Sequence, residues 1–205
     1  MTNQTHRTAS RRGTALRALG AAALAPLAGL TLLAGPASAA PQGLASTEWH
    51  GYVCDDGFYR IRTPFGKLVE RNPNSPWGQA VQNSDTGGYN QQWKLCHYNA
   101  DNQYLILRNR SNENTCLGVW KQNPNDASEG LADGVNLNVF DCSGYIHANQ
   151  AFQFLFPTPG SNEVLIILRH SGSFAAVADP AGSTGSAVAQ YTYRASLFTL
   201  EHLAA

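Results

Sequence analysis

Three observations predict an all-β chain. A pattern of short strand-like runs recurs three times, no segment of the body keeps an apolar period of 3.6, and the runs are bounded by Gly, Pro, Asn and Asp. The recurring units open on Tyr59-Arg60-Ile61, Tyr104-Leu105-Ile106 and Leu165-Ile166-Ile167. They pass into polar turns at Thr63-Pro64-Phe65-Gly66, Arg110-Ser111-Asn112-Glu113 and His170-Ser171-Gly172. Small apolar runs follow at Leu68-Val69, Cys116-Leu117-Gly118-Val119 and Ala175-Ala176-Val177, and the units close on Trp93, Phe152 and Phe198.

From opening residue to closing aromatic the units measure 34, 48 and 33 residues, so the middle one carries an insertion of about 14, a size that surface loops tolerate. Its expected place is between Trp120 and Gly134, where Asn123-Pro124-Asn125-Asp126 and Asp133-Gly134 are turn formers. One such unit cannot bury its own apolar face. Three units closed about a shared axis can, and closure removes exposed sheet edges. Trp93, Phe152 and Phe198 are then equivalent core residues.

Residues 1–39 read as a cleavable export signal. Arg7, Arg11, Arg12 and Arg17 precede an uncharged stretch from Ala18 to Gly35, and Ala37-Ser38-Ala39 offers the small residues a signal peptidase accepts. Ser10-Arg11-Arg12 fits a twin-arginine route as well as the general one. Pro26, Gly29 and the many alanines argue against a retained membrane anchor. A linker over 40–47 and one domain over 48–203 follow, secreted and without a membrane span once the signal is removed.

The chain's 14 basic and 14 acidic residues balance, but without the signal's four arginines 10 basic residues face 14 acidic ones. A mildly acidic body without basic clusters argues against a nucleic-acid partner, which requires a positive field. Cys54, Cys96, Cys116 and Cys142 all lie in the exported part, where an even count favours two disulfides; four cysteines permit three pairings. No C-x-x-C spacing marks a metal or redox site. G-x-S-x-G, H-E-x-x-H and P-loop motifs are lacking, and His50, His97, His147, His170 and His202 are scattered. Asp55-Asp56 reads as a turn beside Gly57, not as a carboxylate pair facing one cleft. Neither catalysis nor a cofactor is expected.

The closures Gln91-x-Trp93 and Gln150-x-Phe152 resemble the Q-x-W repeat of ricin B-chain-type lectins, as does Cys116-Leu117-Gly118-Val119 answered by Val139-Phe140-Asp141-Cys142. The likeness runs from Trp49 to Leu203. It implies a β-trefoil of three pseudo-symmetric lobes, each of four strands. It implies a Cys116–Cys142 disulfide across the sugar-site loop of lobe two, and with it a Cys54–Cys96 disulfide. In this family an aspartate, a polar residue, an aromatic and an Asn-Gln pair converge on the hydroxyls and the apolar face of a sugar.

Lobe one offers Glu70, Gln82, Asn90 and Gln91, with Ser84 in place of the aromatic and Trp77 as a substitute stacking face or a packed lid. Lobe two offers Asn138, Phe140, Asn149 and Gln150. There Gly118 replaces the aspartate, Asp141, Asp126, Glu129 or Asp133 are alternative carboxylates, and Trp120 is either a platform or support for the insertion. Lobe three keeps only Tyr191, since Ala176 and Ala195-Ser196 replace the rest. Gln91 and Gln150 also have a structural reading, as partners for backbone groups that a turn leaves unpaired.

The resemblance implies a secreted, non-catalytic, lectin-like module whose partner is a carbohydrate or glycan. The alternative is a protein-interaction or targeting subunit of a secreted complex or toxin, built on degraded sugar sites. A protease inhibitor would need a rigid exposed loop, and the Asn-, Asp- and Gly-rich insertion reads as too flexible.

Overall fold

The computed structural model of the chain describes residues 47–98, 101–123 and 125–204. The expected export signal, the linker up to residue 46, and Pro124 of the inserted turn lie outside the described residues.

Six strands close a barrel. These are β3 (Phe58–Arg62), β6 (Trp93–Tyr98), β7 (Asp101–Asn109), β10 (Phe152–Leu155), β11 (Glu163–Leu168) and β14 (Phe198–Leu203). Each pairs antiparallel with two others in the ring β3-β6-β7-β10-β11-β14 and back to β3. Three hairpins cap it: β4 (Leu68–Arg71) with β5 (Ala80–Asn83), β8 (Thr115–Val119) with β9 (Leu137–Asp141), and β12 (Phe174–Val177) with β13 (Val188–Tyr191). The architecture is a β-trefoil. The alternation expected of a half-buried strand is clear in β11, where Val164, Ile166 and Leu168 turn inward.

Trp93, Phe152 and Phe198 are fully buried and share one apolar cluster with Ile61, Leu107 and Leu168. Trp93 also donates its indole N–H to the carbonyl of Val69 at 3.0 Å, so its polar edge is satisfied inside the core. Opposite these three rings stand Tyr59, Leu105 and Val164. Measured from these partners, lobes one, two and three span 34, 47 and 34 residues. The openings Tyr104 and Leu165 therefore move by one residue each, and lobes one and three match fully.

A further hairpin, β1 (Thr47–Trp49) with β2 (Tyr52–Cys54), adds to the edge of β6. His50 and Gly51 join its strands with positive φ at both positions, the turn whose twist suits antiparallel strands. Both disulfides form, Cys54–Cys96 and Cys116–Cys142, and lie in a second buried cluster with Tyr52 and Ile106. Closing loops of 42 and 26 residues, each is expected to contribute on the order of 3–4 kcal/mol.

The insertion in lobe two is held by lobe three. Gln190 donates to the carbonyls of Gly130 and Ala132, His170 donates to Gly130, and Asp133 accepts from the backbone and hydroxyl of Thr192. The flexibility read from its composition is countered by these contacts, which lie too far along the chain for composition to reveal.

Candidate functional site

Strand pairing fixes which residues are equivalent. Leu68 faces Asn83, Cys116 faces Phe140, and Phe174 faces Tyr191. Two residues along each pair of strands, Glu70 faces Val81, Gly118 faces Asn138, and Ala176 faces Ala189. Glu70, Gly118 and Ala176 thus share one place in the three lobes. The lobe-one aromatic position is Asn83 instead of Ser84, and the polar position is Val81 instead of Gln82. A shift of one residue in a strand turns its side chains to the opposite face, and Gln82 accordingly points away from Glu70. It is fully buried and donates to the carbonyl of Ser183 in lobe three.

In lobe one the structure joins Glu70, Asn83 and Gln91 into a closed network. Glu70 is buried, and its two carboxylate oxygens accept from the amides of Asn83 and Gln91 at 2.5 and 2.8 Å. Gln91 also donates to the carbonyl of Ser84 and accepts from the backbone N–H and hydroxyl of Thr86. Each hydrogen-bonding group of that side chain is occupied by the protein. Asn90 donates to the carbonyl of Arg71. Trp77 lies elsewhere, on the hairpin loop.

Lobe two keeps the frame and changes the filling. Asn149 donates to the carbonyl of Val119 at 2.8 Å, the counterpart of the Asn90 bond, while its own carbonyl is buried without a partner. Gln150 accepts from the backbone N–H of His147 and donates to the carbonyl of Asp141. The three-residue 3-10 turn Ala148–Gln150 presents both amides. A Cβ at Gly118 would meet Gln150 Cγ at 2.9 Å and Asn149 O at 3.0 Å, so the aspartate's place is taken by the closing turn itself.

Beside it a pocket of about 260 Å³ remains, lined by Phe140, Asn149, Gln150, His147, Lys121 and Asp141 among others. The backbone N–H of Ser143 bonds Asp141 and holds its carboxyl below the usual carboxylate range. A carboxylate therefore returns to the rim from the far end of β9. Of the other acids, Asp126 accepts from Ser128, Glu129 from the backbone of Asn123, and Asp133 from Thr192, all within loops. Asn138 turns to a different cleft, donating to the carbonyl of Trp77. In lobe three the Arg194 guanidinium sits 4.5 Å from the Tyr191 ring centre, and the Ser196 hydroxyl accepts from the backbone of Val177.

The structure also gathers residues that sequence spacing left apart. At the barrel mouth, a cavity of about 500 Å³ has Asp55, Tyr59, His97 and His202 among its polar lining. Tyr59 donates to Asp55 at 2.9 Å, and His97 approaches the same carboxylate at 3.5 Å. Burial pushes the Asp55 carboxyl up, but the bonds from His97 and Tyr59 outweigh it and hold the group below its ordinary value. Burial and the neighbouring carboxylate push the Tyr59 hydroxyl up. The convergence arises because β2 pairs with β6 and β3 with β14, and no local motif announces it. Asp55 and Asp56 themselves lie in the turn before β3. Among the described residues, no group of three or more His, Cys, Asp or Glu side chains is arranged to hold a metal ion, and no helix is long and apolar enough to cross a membrane.

No family model matches the sequence, and no curated protein sequence does. Solved structures do match the fold. A designed three-fold symmetric protein, ThreeFoil, is 28% identical with a TM-score of 0.58, covering 72% of this chain and 100% of that one. The Macrolepiota procera ricin B-like lectin, solved with lactose, is 16% identical with a TM-score of 0.55, covering 73% and 98%. A cytolethal distending toxin chain from Actinobacillus actinomycetemcomitans is 17% identical with a TM-score of 0.52, covering 71% and 90%.

Proposed function

We propose that this chain, whose fold is a β-trefoil of the ricin B type, is a secreted, non-catalytic carbohydrate-binding module acting through lobe two. The observation that carries this reading is the contrast at equivalent places: the lobe-one carboxylate and amides bond one another, whereas lobe two leaves a pocket open beside Phe140. Phe140 supplies a face for the C–H side of a sugar ring. Asn149 and Gln150 supply amides, and Asp141 supplies an ionised acceptor, a stronger hydrogen-bond partner than a neutral one. Glu70, Gln82, Asn90 and Gln91 hold the frame of lobe one in this reading, and Tyr191 is a structural residue of lobe three. Export is supported by the arginine-led N-terminus and by two disulfides, which persist in oxidising compartments.

A shallow site of this kind is expected to bind weakly, at about −4.1 kcal/mol for millimolar affinity, so avidity from several copies or a partner subunit would strengthen it. The test is a glycan array probed with the disulfide-bonded protein and with Phe140→Ala. Saturable binding lost in the variant supports the reading; binding unchanged by it removes lobe two as the site.

A second reading, a targeting or interaction subunit of a secreted complex or toxin, is favoured by a specific observation. Tyr193, Trp77 and Tyr145 are 96%, 72% and 70% exposed, and exposed tyrosines and tryptophans act as interface anchors. Pull-down of a protein partner, with an empty glycan array, would select it.

A further inference from the structure

Trp77 and Trp120 lie in different lobes, 43 residues apart in sequence. The structure brings both to one cleft of about 360 Å³, where they share the lining with Ser75, Gln79, Asn136 and Asn138. This cleft is separate from the lobe-two pocket and has no lining residue in common with it.

Its construction is rigid in the backbone and open at the rings. The carbonyl of Trp77 accepts from the Asn138 amide at 3.0 Å, and the next carbonyl, that of Gly78, accepts from the backbone of Val139 at 2.9 Å. Gly78 has φ +61°, and a Cβ there would stand 3.0 Å from Val139 O, so the loop is seated closely on β9. Trp120 donates its backbone N–H to Asn136 at 2.9 Å, and Gln190 of lobe three bonds the backbone of both Gly134 and Val135. The Gln79–Asn138 and Asn136–Ala189 bridges join the three capping hairpins around the same place. All three lobes therefore fix the positions of the two tryptophans, yet their side chains stay in water, Trp77 at 72% and Trp120 at 43% exposure.

Large rings held out by a rigid frame are unfavourable for solubility and contribute little to the core, which marks a surface that meets a ligand. The chemistry of the lining selects the ligand. Two indole faces match the apolar C–H faces of sugar rings, and the Ser, Gln and Asn side chains match hydroxyls. Among the described residues lining the cleft none carries a charge, so nothing there would compensate a carboxylate brought in by an acidic sugar. The carbonyl of Asn138 is buried at the cleft without a partner, one more acceptor that a modest movement would offer to a hydroxyl. We propose that the cleft between Trp77 and Trp120 is a second, inter-lobe binding site, taking a neutral oligosaccharide across the two indoles.

The experiment is calorimetric titration of the disulfide-bonded protein with lactose, cellohexaose, laminarihexaose, chitohexaose and sialyllactose. It is repeated for Trp77→Ala, Trp120→Ala, Trp77→Tyr, Trp120→Tyr and Phe140→Ala, with a thermal melt of each to confirm folding. A neutral oligosaccharide is expected to bind the unsubstituted protein, to weaken at least tenfold in either alanine variant, and to recover part of that loss in the tyrosine variants. Phe140→Ala is expected to leave this component in place. If both alanine variants bind every neutral sugar as the parent does, the cleft is not a site, and any loss confined to Phe140→Ala then supports the lobe-two reading alone. Loss in the tryptophan variants with none in Phe140→Ala upholds the cleft and overturns lobe two. Binding confined to sialyllactose, or no binding by the parent to any of the five, overturns the proposal, as does capture of a protein partner that depends on both tryptophans when no sugar binds.

Discussion

Glu70 in lobe one and Gly118 in lobe two occupy equivalent places, each next to an Asn-Gln closure, and their surroundings have diverged in opposite directions. Lobe one places a carboxylate there and Asn83 where lobe two has Phe140, and the carboxylate turns inward to bond Asn83 and Gln91. Lobe two removes the side chain, lets Gln150 pack over the vacated place, and keeps a ring and an open pocket beside it. The comparison separates two tasks that one sequence motif conceals. The Asn-Gln closure ties the turn to the sheet in both lobes, through Asn90 to Arg71 and Asn149 to Val119. Whether a pocket survives is decided by the residues facing it.

The largest difference is expected on truncating the two glutamines. Gln91→Ala removes four hydrogen bonds and leaves the buried Glu70 carboxylate with Asn83 alone. A loss of about 3 kcal/mol follows from leaving buried polar groups unpaired. Gln150→Ala removes two bonds, one of them long at 3.4 Å, for about 1.5 kcal/mol. Urea unfolding of both variants under two-state conditions checks the ranking, and equal losses would mean that the two closures carry the same load. Glu70→Ala is next, at about 2 kcal/mol for the two amide bonds it removes, with Gln91 keeping its bond to Ser84. It should leave glycan binding as it was, since Glu70, Asn83 and Gln91 bond one another and line neither the lobe-two pocket nor the cleft between the tryptophans. Gly118→Ala follows at about 1–2 kcal/mol, the usual cost of overpacking a filled place. Because Gln150 Cγ and the Phe140 ring are the atoms displaced, the same change should weaken any ligand held in the lobe-two pocket, read on the same array.

What the sequence made legible follows from how each feature is encoded. Trp93, Phe152 and Phe198 could be found because a closed core needs one large ring per lobe at a repeated spacing, and the three are fully buried. The place of the insertion was legible from its turn formers. The lobe-one register was not, because the Asn72–Gln79 loop hides one residue of offset, and that offset exchanged Gln82 for Val81 and Ser84 for Asn83. Counting back from the closing aromatic does not expose it, because Asn83, Phe140 and Tyr191 stand 10, 12 and 7 residues before Trp93, Phe152 and Phe198. The meeting of Asp55 with His97 and His202, and of Trp77 with Trp120, depends on pairings between distant strands and has no local signature at all.

The smallest expected effect concerns acid, and it distinguishes the lobes by what holds their loops. The lobe-two insertion rests on His170, which donates from Nε2 to Gly130 at 2.9 Å while Nδ1 is buried without a partner. Burial is the main cause that lowers its pKa from the ordinary 6.5, with the Lys121 charge adding to it and the Gly130 bond opposing it. A histidine that takes up its proton more readily when released than when folded stabilises the folded form above the ordinary pKa, and loses that contribution as pH falls through the lowered one. Lobe one has no titrating imidazole among the residues bonding its closing turn; Glu70 and the amides hold it. Between pH 7 and 5 the amides of Glu129 and Gly134 should therefore exchange a few-fold faster relative to the intrinsic rate, with Gln190 still holding the loop, while Thr86 and Gln91 keep their protection. In His170→Gln, whose amide can still donate to Gly130, the pH dependence should vanish. If it persists in that variant, the acid response belongs to another group, of which Asp55 titrates only further down, in the carboxylate range.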